Sequence, residues 1–252
     1  MSIRDSGLII SLNKYGENSA IVKIFSQNHG IIKGFIKSAN SKINRSIFQI
    51  GNQISFEWKS RSEDSLGSFV YCDLIKSFSS KIIFDKVKLS CLVSLIAIID
   101  DCFLERESDN ELYSQIFNFI EKISIDRDFV FDIADYVKLE LEILRALGYG
   151  IDLTSCVVTN KKENLKFVSP KSAKAVCYDV GKDYESKLLK LPQFLLNDNF
   201  NKSKECVLEL FDGLELSGFF MNKFINSKNN YIEINRNKII KQLDSVLKSS
   251  YS

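Results

Sequence analysis

The chain concentrates positive charge and aromatic rings in one segment, residues 33–61. Six cations lie in this segment, and Glu57 is the one acid among them: Lys33, Lys37, Lys42, Arg45, Lys59 and Arg61. Four aromatic residues are interleaved with them: Phe35, Phe48, Phe56 and Trp58. Cations on a common surface neutralise phosphates, and exposed rings stack on nucleobases. The segment is therefore a candidate nucleic-acid-binding site, with the six cations as its contact residues.

The spacing within this segment predicts how its side chains are presented. Lys33 and Lys37 are an even number of residues apart, so they would share one face of a regular strand. The polar stretch 38–46 is typical of a mobile, cationic loop that could wrap around a phosphate backbone. The aromatic residues have a second interpretation as barrel core, which we favour for Phe35 and Phe56. Lysines on exposed strand faces are also common solvating residues.

The chain has few of the residue types that catalysis commonly uses. His29 is its one histidine, so Ser-His-Asp and Cys-His mechanisms would both depend on it, and a multi-histidine metal site is impossible. The six cysteines form no C-x-x-C pair, and we expect reduced, buried thiols. No P-loop occurs, and no G-x-G-x-x-G motif follows a strand. The commonest catalytic routes are therefore missing, and a carboxylate-dependent hydrolase stays open as an alternative.

Residues 1–80 have the pattern of a small all-β domain. Five short runs of β-type residues are separated by turns rich in glycine and asparagine, at 7–12, 19–26, 31–37, 54–59 and 67–73. Such a series of short strands predicts a small barrel. Gly34 lies inside the third strand, where it predicts a bulge or a sharp bend.

After residue 80 the apolar residues recur at helical spacing. Helices are predicted at 85–105, 108–123, 126–147, 182–190, 202–225 and 235–247, with Ser108 and Glu111 as a capping box and Gly148 as a C-cap. The predicted fold class is therefore α+β. A five-stranded OB-like barrel in 1–80 precedes a mostly helical domain in 81–248, which contains a small loop and strand insertion at 149–182.

The net charge of +2 hides a polarised distribution. Residues 1–80 hold ten basic and six acidic side chains, whereas 81–150 is acidic, with a cluster of acids at 100–111. This cluster could attract a basic partner, but solvation of a helix end is the favoured interpretation. The most apolar stretch, Val93–Ile99, is far shorter than the roughly 20 residues of a transmembrane helix, and the N-terminus does not resemble a secretory signal. We therefore expect a cytoplasmic protein without a membrane contact.

Short motifs follow one another in a fixed order along most of the chain. They are Asp5–Ser11, Tyr15–Val22, His29-Gly30 with Lys33-Gly34, the basic stretch 37–45, Leu66–Phe69, Glu140-Leu141 with Leu144–Leu153, Phe167–Ser172 and Leu188–Pro192. In order and spacing these motifs resemble the RecO family of DNA-repair proteins. The resemblance implies a protein that is not an enzyme, with an N-terminal OB fold, a helical C-terminal domain, no cofactor and no nucleotide hydrolysis.

The same resemblance implies a recombination mediator in the nucleoid-associated cytoplasm. Such a protein binds single- and double-stranded DNA and anneals complementary strands. Together with RecR it helps to load RecA onto DNA coated by single-strand-binding protein (SSB). The tail of SSB is acidic and apolar, so its receptor should be a basic-rimmed hydrophobic groove, for which the late helices around Lys202–Lys228 have a suitable composition. An RNA-binding OB-fold protein is the alternative.

One departure from the RecO pattern concerns zinc. Many RecO proteins carry a four-cysteine zinc site, but here Cys156 is followed by Val157-Val158-Thr159, and Cys177 stands alone. Two thiolates cannot complete a tetrahedral structural site. Residues 149–182 are therefore expected to form a degenerate zinc-ribbon-like insertion without metal, held by packing and backbone pairing.

Overall fold

A computed structural model describes residues 1–62, 65–197, 200, 203–225 and 231–250. The chain divides into two compact units, Met1–Asp126 and Arg127–Ser252. The first unit contains the predicted barrel and the helices that follow it directly. The second contains the remaining helices and a small sheet. No helix among the described residues is both long and apolar enough to cross a membrane.

The first unit begins with a closed five-stranded barrel, which confirms the predicted OB-like architecture. Its strands are β1 (Ser2–Tyr15), β2 (Ser19–Ser26), β3 (Gly30–Lys37), β4 (Gln53–Lys59) and β5 (Gly67–Lys76), and a short helix, α1 (Lys42–Ile47), connects β3 to β4. The strands pair in the order β1-β2-β3-β5-β4, and β4 closes the barrel on β1. Every pairing is antiparallel except that of β3 with β5, which is parallel.

The parallel seam between β3 and β5 is built around Trp58. A Cβ atom on Gly34 would lie 2.8 Å from Trp58 Nε1, and one on Gly67 would lie 2.1 Å from Trp58 Cε2. The indole is 1% exposed and donates a hydrogen bond to the carbonyl of Lys33 at 3.0 Å. The predicted bulge at Gly34 is therefore wrong, because β2 and β3 pair there without a register shift. The glycine is required instead for the close approach of the ring.

Bulges occur elsewhere in the barrel. The register shifts between Ile9 and Ser11 in the β1–β2 pair, and at Gln53/Ile54 and Glu57/Trp58 in the β4–β5 pair. Such irregularities increase the local twist and help a small sheet to close.

Three helices complete the first unit: α2 (Ser79–Ile82), α3 (Lys86–Cys102) and α4 (Asn110–Ile123). The side chain of Asp109 caps α4 by accepting a hydrogen bond from the N–H of Leu112 at 2.9 Å, so the predicted capping role of Ser108 is wrong by one residue. Helix α3 ends three residues earlier than predicted, because the following chain pairs with the barrel. Glu105 forms a parallel bridge with Ile31, and the N–H of Arg106 donates to the Ile31 carbonyl at 3.1 Å.

The second unit contains three longer helices and a small sheet. The elements are α5 (Phe129–Ala146), β6 (Leu165–Val168), β7 (Ala175–Cys177), α6 (Tyr178–Gly181), β8 (Leu189–Lys190), α7 (Lys204–Phe224) and α8 (Tyr231–Ser250). Gly148 follows α5 with a φ of 84°, as expected of a C-cap glycine. The predicted helix at 182–190 is wrong in its second half, because Leu189 and Lys190 pair with β6 after a 3₁₀ turn at Lys182–Lys187. Lys202, the predicted start of the next helix, lies outside the described residues.

A buried ion pair joins the helices of the second unit. Glu140 of α5 accepts hydrogen bonds from Arg236 of α8 and from the hydroxyl of Ser217 in α7. Arg236 also donates to the carbonyl of Leu214. The charges are paired and hydrogen-bonded, which buried ions require, and this network links the three helices.

Candidate nucleic-acid interface

The outward face of β3 carries Lys33, Phe35 and Lys37 in succession. They alternate with the buried residues Ile32, Gly34 and Ile36. The two lysines therefore share one face, as their spacing predicted. Neither lysine forms an ion pair within the described ranges. The result is a partly buried aromatic ring on the outward face, flanked by two uncompensated positive charges.

Of the four aromatic residues in the segment 33–61, Phe35 is the one whose ring lies outside the barrel core. The rings of Phe48, Phe56 and Trp58 are buried, which confirms the core assignment of Phe56. The same assignment is wrong for Phe35, whose ring points outward and meets Tyr15 edge to face at a centroid distance of 5.8 Å. Tyr15 is 60% exposed, so the two rings form an aromatic platform on the outside of the barrel.

Lys23 of β2 lies opposite Lys33 in the register. Two like charges so placed would repel each other. The ammonium of Lys23, however, pairs with a carboxylate oxygen of Asp100 at 2.5 Å. One member of the acidic cluster at 100–111 therefore compensates Lys23, and Lys33 keeps its charge available.

Lys59 lies on the same outer surface, two strands away from Phe35. Phe35 is opposite Ser68 of β5, and Ser68 is opposite Lys59 of β4. The ammonium of Lys59 is 2.8 Å from Glu57, which also pairs with Arg4 at 3.0 Å. Hydrogen bonds from Lys59 and Arg4 hold the pKa of Glu57 below its ordinary value. The charge of Lys59 is therefore partly neutralised, unlike those of Lys33 and Lys37.

Lys42 and Arg45 lie on helix α1, so the predicted loop over 38–46 is wrong in its second half. The hydroxyl of Ser41 caps this helix by accepting from the N–H of Asn44 at 3.2 Å. The Asn44 amide donates to the carbonyls of Lys37 and Ser38, at 3.3 and 3.0 Å, and so ties α1 to the end of β3. Both cations are exposed and three residues apart, which places them on neighbouring positions of one helix face.

A shallow groove separates α1 from the outer face of β5. Its volume is about 460 Å³, and its lining includes Phe35, Lys37, Asn44, Val70 and Tyr71. Both β3 and α1, which carry four of the predicted cations, contribute to this groove, and Lys37 is the one of those four that lines it. Arg61 is exposed in the connection after β4, where residues 63–64 lie outside the described part of the chain.

A second cavity, of about 410 Å³, contains a cation that sequence reasoning missed. Arg106 lines this cavity together with Lys33. In the sequence Arg106 is surrounded by acids, and it stands outside the barrel segment. The available signal was that it is the only basic residue in the acidic cluster at 100–111.

Two family models together match most of the chain, up to residue 216. "Recombination protein O N terminal" matches residues 1–78, and "Recombination protein O C terminal" matches residues 83–216. The chain belongs to the RecO family. The resemblance found in the ordered motifs is thereby confirmed, and the RecO N-terminal match coincides with the barrel.

Curated RecO relatives match over nearly their full lengths. The DNA repair protein RecO of Rickettsia typhi is 39% identical over 233 residues, which cover 92% of this chain and 95% of the relative. Those of Rickettsia conorii and Rickettsia canadensis are both 38% identical over 92% of this chain, covering 94% and 93% of their own lengths.

The zinc site of many RecO proteins does not fit the side chains found here. Among the described residues, no group of three or more histidine, cysteine or acidic side chains could hold a metal ion. Thr159 stands where a second ligand would be, and its hydroxyl lies 3.7 Å from the sulfur of Cys177. This donor set is too small for a structural zinc ion. Backbone pairing of β6 with β7 and β8 holds the region.

Cys156 has an environment that favours the thiolate. Burial opposes its ionisation, but hydrogen bonds from the Thr159 hydroxyl and from the backbone N–H groups of Cys177, Thr159 and Val158 lower the pKa of Cys156 to about 6. Donors directed at one sulfur stabilise its negative charge. Residues 156–159 therefore form a turn whose hydrogen-bond donors stabilise a thiolate at Cys156.

Proposed function

We propose that this RecO-family protein is a recombination mediator that binds single- and double-stranded DNA across the outer face of its barrel. The observation that supports this best is the succession of Lys33, Phe35 and Lys37 on one outward face, with both lysines free of acidic partners. Lys42 and Arg45 on α1, together with Lys59 and Arg61, extend the cationic surface on either side.

The chemistry of this surface suits binding that does not depend on base sequence. Lysine and arginine side chains neutralise phosphates, and the platform of Phe35 and Tyr15 offers a face to any base. Two complementary strands held on such a surface repel each other less, so they anneal faster. No covalent step is needed, and the protein acts without a cofactor and without hydrolysing nucleotides.

The carboxylate-dependent hydrolase is disfavoured by the partners of the buried acids. Asp132 is hydrogen-bonded to Arg127 at 2.5 Å, and Glu140 is paired with Arg236. A general acid or base needs a carboxyl group that can exchange protons near a substrate. Charge-paired carboxylates held in this way serve the packing of the second unit.

The helical region would supply the protein partners. We propose that SSB binds around Lys202–Lys228, although Lys202 and residues 226–230 lie outside the described part of the chain. Helix α7 exposes Leu208 and Phe219 and carries the exposed cation Lys223, a combination that suits an acidic and apolar tail. With RecR, the protein would then load RecA onto SSB-coated DNA in the nucleoid-associated cytoplasm.

A double charge reversal, Lys37→Glu with Arg45→Glu, tests the DNA surface. Binding of a labelled single-stranded oligonucleotide is measured by fluorescence anisotropy over a series of salt concentrations. Loss of two phosphate contacts should lower the slope of log affinity against log salt by about 1.4, at about 0.7 per contact. Lys81→Glu with Lys86→Glu makes the same charge change at exposed positions outside the surface and should retain much more affinity. Unchanged DNA binding by the first variant would refute the proposal.

A strand-annealing assay tests the mediator activity. Strand annealing on SSB-coated DNA, with and without RecR, should be accelerated by the protein and lost in the Lys37/Arg45 variant.

The RNA-binding alternative is tested by comparing matched RNA and DNA strands in the fluorescence anisotropy assay. A clear preference for RNA would favour the RNA-binding alternative.

A further inference from the structure

A cavity of about 410 Å³ opens beside the end of the DNA surface at Lys33. It is lined by Ile32, Lys33, Trp58, Ser65, Leu66, Glu105 and Arg106. Lys33 belongs both to this cavity and to the outward face of β3. A strand that follows Phe35 and Lys33 along that face would therefore reach the cavity next.

Arg106 is held in the cavity wall by an unusual backbone conformation. Its φ is 67°, a left-handed value that favours glycine, and its N–H donates to the Ile31 carbonyl at 3.1 Å. The next residue, Glu107, lies so close to Gly30 that a Cβ atom there would be 2.2 Å from the Glu107 carbonyl oxygen. Such strain persists only where the surroundings enforce it, and it is concentrated at binding and catalytic sites.

The guanidinium of Arg106 is placed to receive an anion. It lies 5.3 Å from the centre of the Trp58 ring, which orients it by a cation–π contact. The side chain is half-buried and forms no ion pair with any residue that the structure describes. Lys23 and Lys59, by contrast, are each paired with an acid. Arg106 and Lys33 thus leave two unmatched positive charges on the cavity wall, which Glu105 offsets in part.

We infer that this cavity is a phosphate subsite for single-stranded DNA and that Arg106 is its principal contact. Arginine offers planar, paired N–H donors that match two oxygens of a phosphodiester, and Lys33 adds a second charge. The half-exposed side chain of Leu66 gives the attached nucleotide an apolar wall. The inference rests on the proposed function, and it extends the DNA surface from the barrel to a residue that follows α3.

The test uses the full chain with Arg106→Gln, Arg106→Lys and Arg106→Gly. Oligonucleotide affinity is measured over a salt series, and thermal unfolding is followed in parallel. Arg106→Gln and Arg106→Gly should lower the salt slope by about 0.7, the value for one single-strand phosphate contact. Arg106→Lys should keep most of the slope. Glycine accommodates the left-handed φ, so Arg106→Gly separates loss of the guanidinium from backbone strain. Arg145→Gln, which removes an exposed arginine from α5, is the matched control and should leave the slope unchanged.

A second measurement identifies the contact on the DNA. A single neutral methylphosphonate linkage is moved along an oligonucleotide that is only as long as the binding site, because a surface that does not read sequence would bind a longer strand in many registers. For the unmodified protein, one linkage should weaken binding in a way that Arg106→Gln removes. If Arg106→Gln retains the full salt slope and the same pattern of sensitive linkages, the subsite is refuted. If the Lys37/Arg45 variant still shows weaker binding and a lower salt slope in that case, the proposed DNA surface remains supported. Normal binding by both variants would refute both ideas.

Discussion

Replacing Gly67 by alanine should destabilise the barrel by about 3 kcal/mol. The added methyl group would lie 2.1 Å from Cε2 and 2.3 Å from Cζ2 of Trp58, a rigid and buried ring. Inserting a methyl group into a packed core costs about 1–3 kcal/mol, and the rigid neighbour places this site at the upper end. Displacing the indole also breaks its hydrogen bond to Lys33, which is worth about 1 kcal/mol. The lower chain entropy of alanine in the unfolded state offsets about 0.5–1 kcal/mol.

The assay is urea unfolding followed by tryptophan fluorescence. Trp58 is the only tryptophan in the chain, so its emission reports on the barrel itself. Gly16→Ala is the control, because Gly16 has a φ of 68° but no atom within 4 Å of an added Cβ. That variant measures the left-handed conformation alone and should cost about 1 kcal/mol. If Gly67→Ala unfolds within about 0.5 kcal/mol of the unmodified protein, the packing argument for the seam is wrong.

Three other substitutions test separate parts of the structure. Phe35→Ala should weaken single-stranded DNA binding by about 1–3 kcal/mol in an anisotropy titration, the range for one stacked base. It should cost less in unfolding than truncation of a core ring, because Phe35 faces outward and is only partly buried. Arg236→Met should cost about 3–5 kcal/mol in chemical unfolding, because it leaves Glu140 buried without its partner, and adding Glu140→Leu should recover much of that loss. Thr159→Val should raise the pKa of Cys156 above about 6, as measured by the ultraviolet absorbance of the thiolate. Folding lowers this pKa from its ordinary value of 9.0, so the thiolate's contribution to stability is complete above pH 9.0 and is lost as the pH falls through about 6.

The strands of the barrel could be predicted from the sequence because each is a local pattern bounded by turn residues. The sequence did not reveal which residues of β3 face the core and which face outward. Ile31, Ile32, Phe35 and Ile36 put apolar side chains on both faces, so alternation alone did not reveal that Phe35 points outward. The role of Gly34 depends on Trp58 and on the parallel pairing with β5, both of which are distant in sequence.

The candidate site shows the same division between local and distant information. Lys33 and Lys37 were correctly placed on one face because strand periodicity is local. Helix α1 has only six residues, too few for apolar periodicity to reveal, and a serine cap within a polar stretch also fits a turn. Arg106 is placed at the cavity by the bridge between its neighbour Glu105 and Ile31. These two residues are far apart in sequence, so no local pattern could reveal the pairing.

The seam between β3 and β5 has a consequence for the behaviour of the barrel in solution. Only two residue pairs close it, Gly34 with Gly67 and Phe35 with Ser68, whereas every other strand pairing of the barrel contains seven or eight residue pairs. Local opening should begin there, so the backbone amides beside the seam should exchange hydrogen with solvent sooner than those of β1 and β2. A DNA strand that contacts Phe35 and Lys59 together would span this opening and hold its edges in place. Binding should therefore slow hydrogen exchange at the seam more than elsewhere in the barrel, and the protein would be most rigid while it carries DNA.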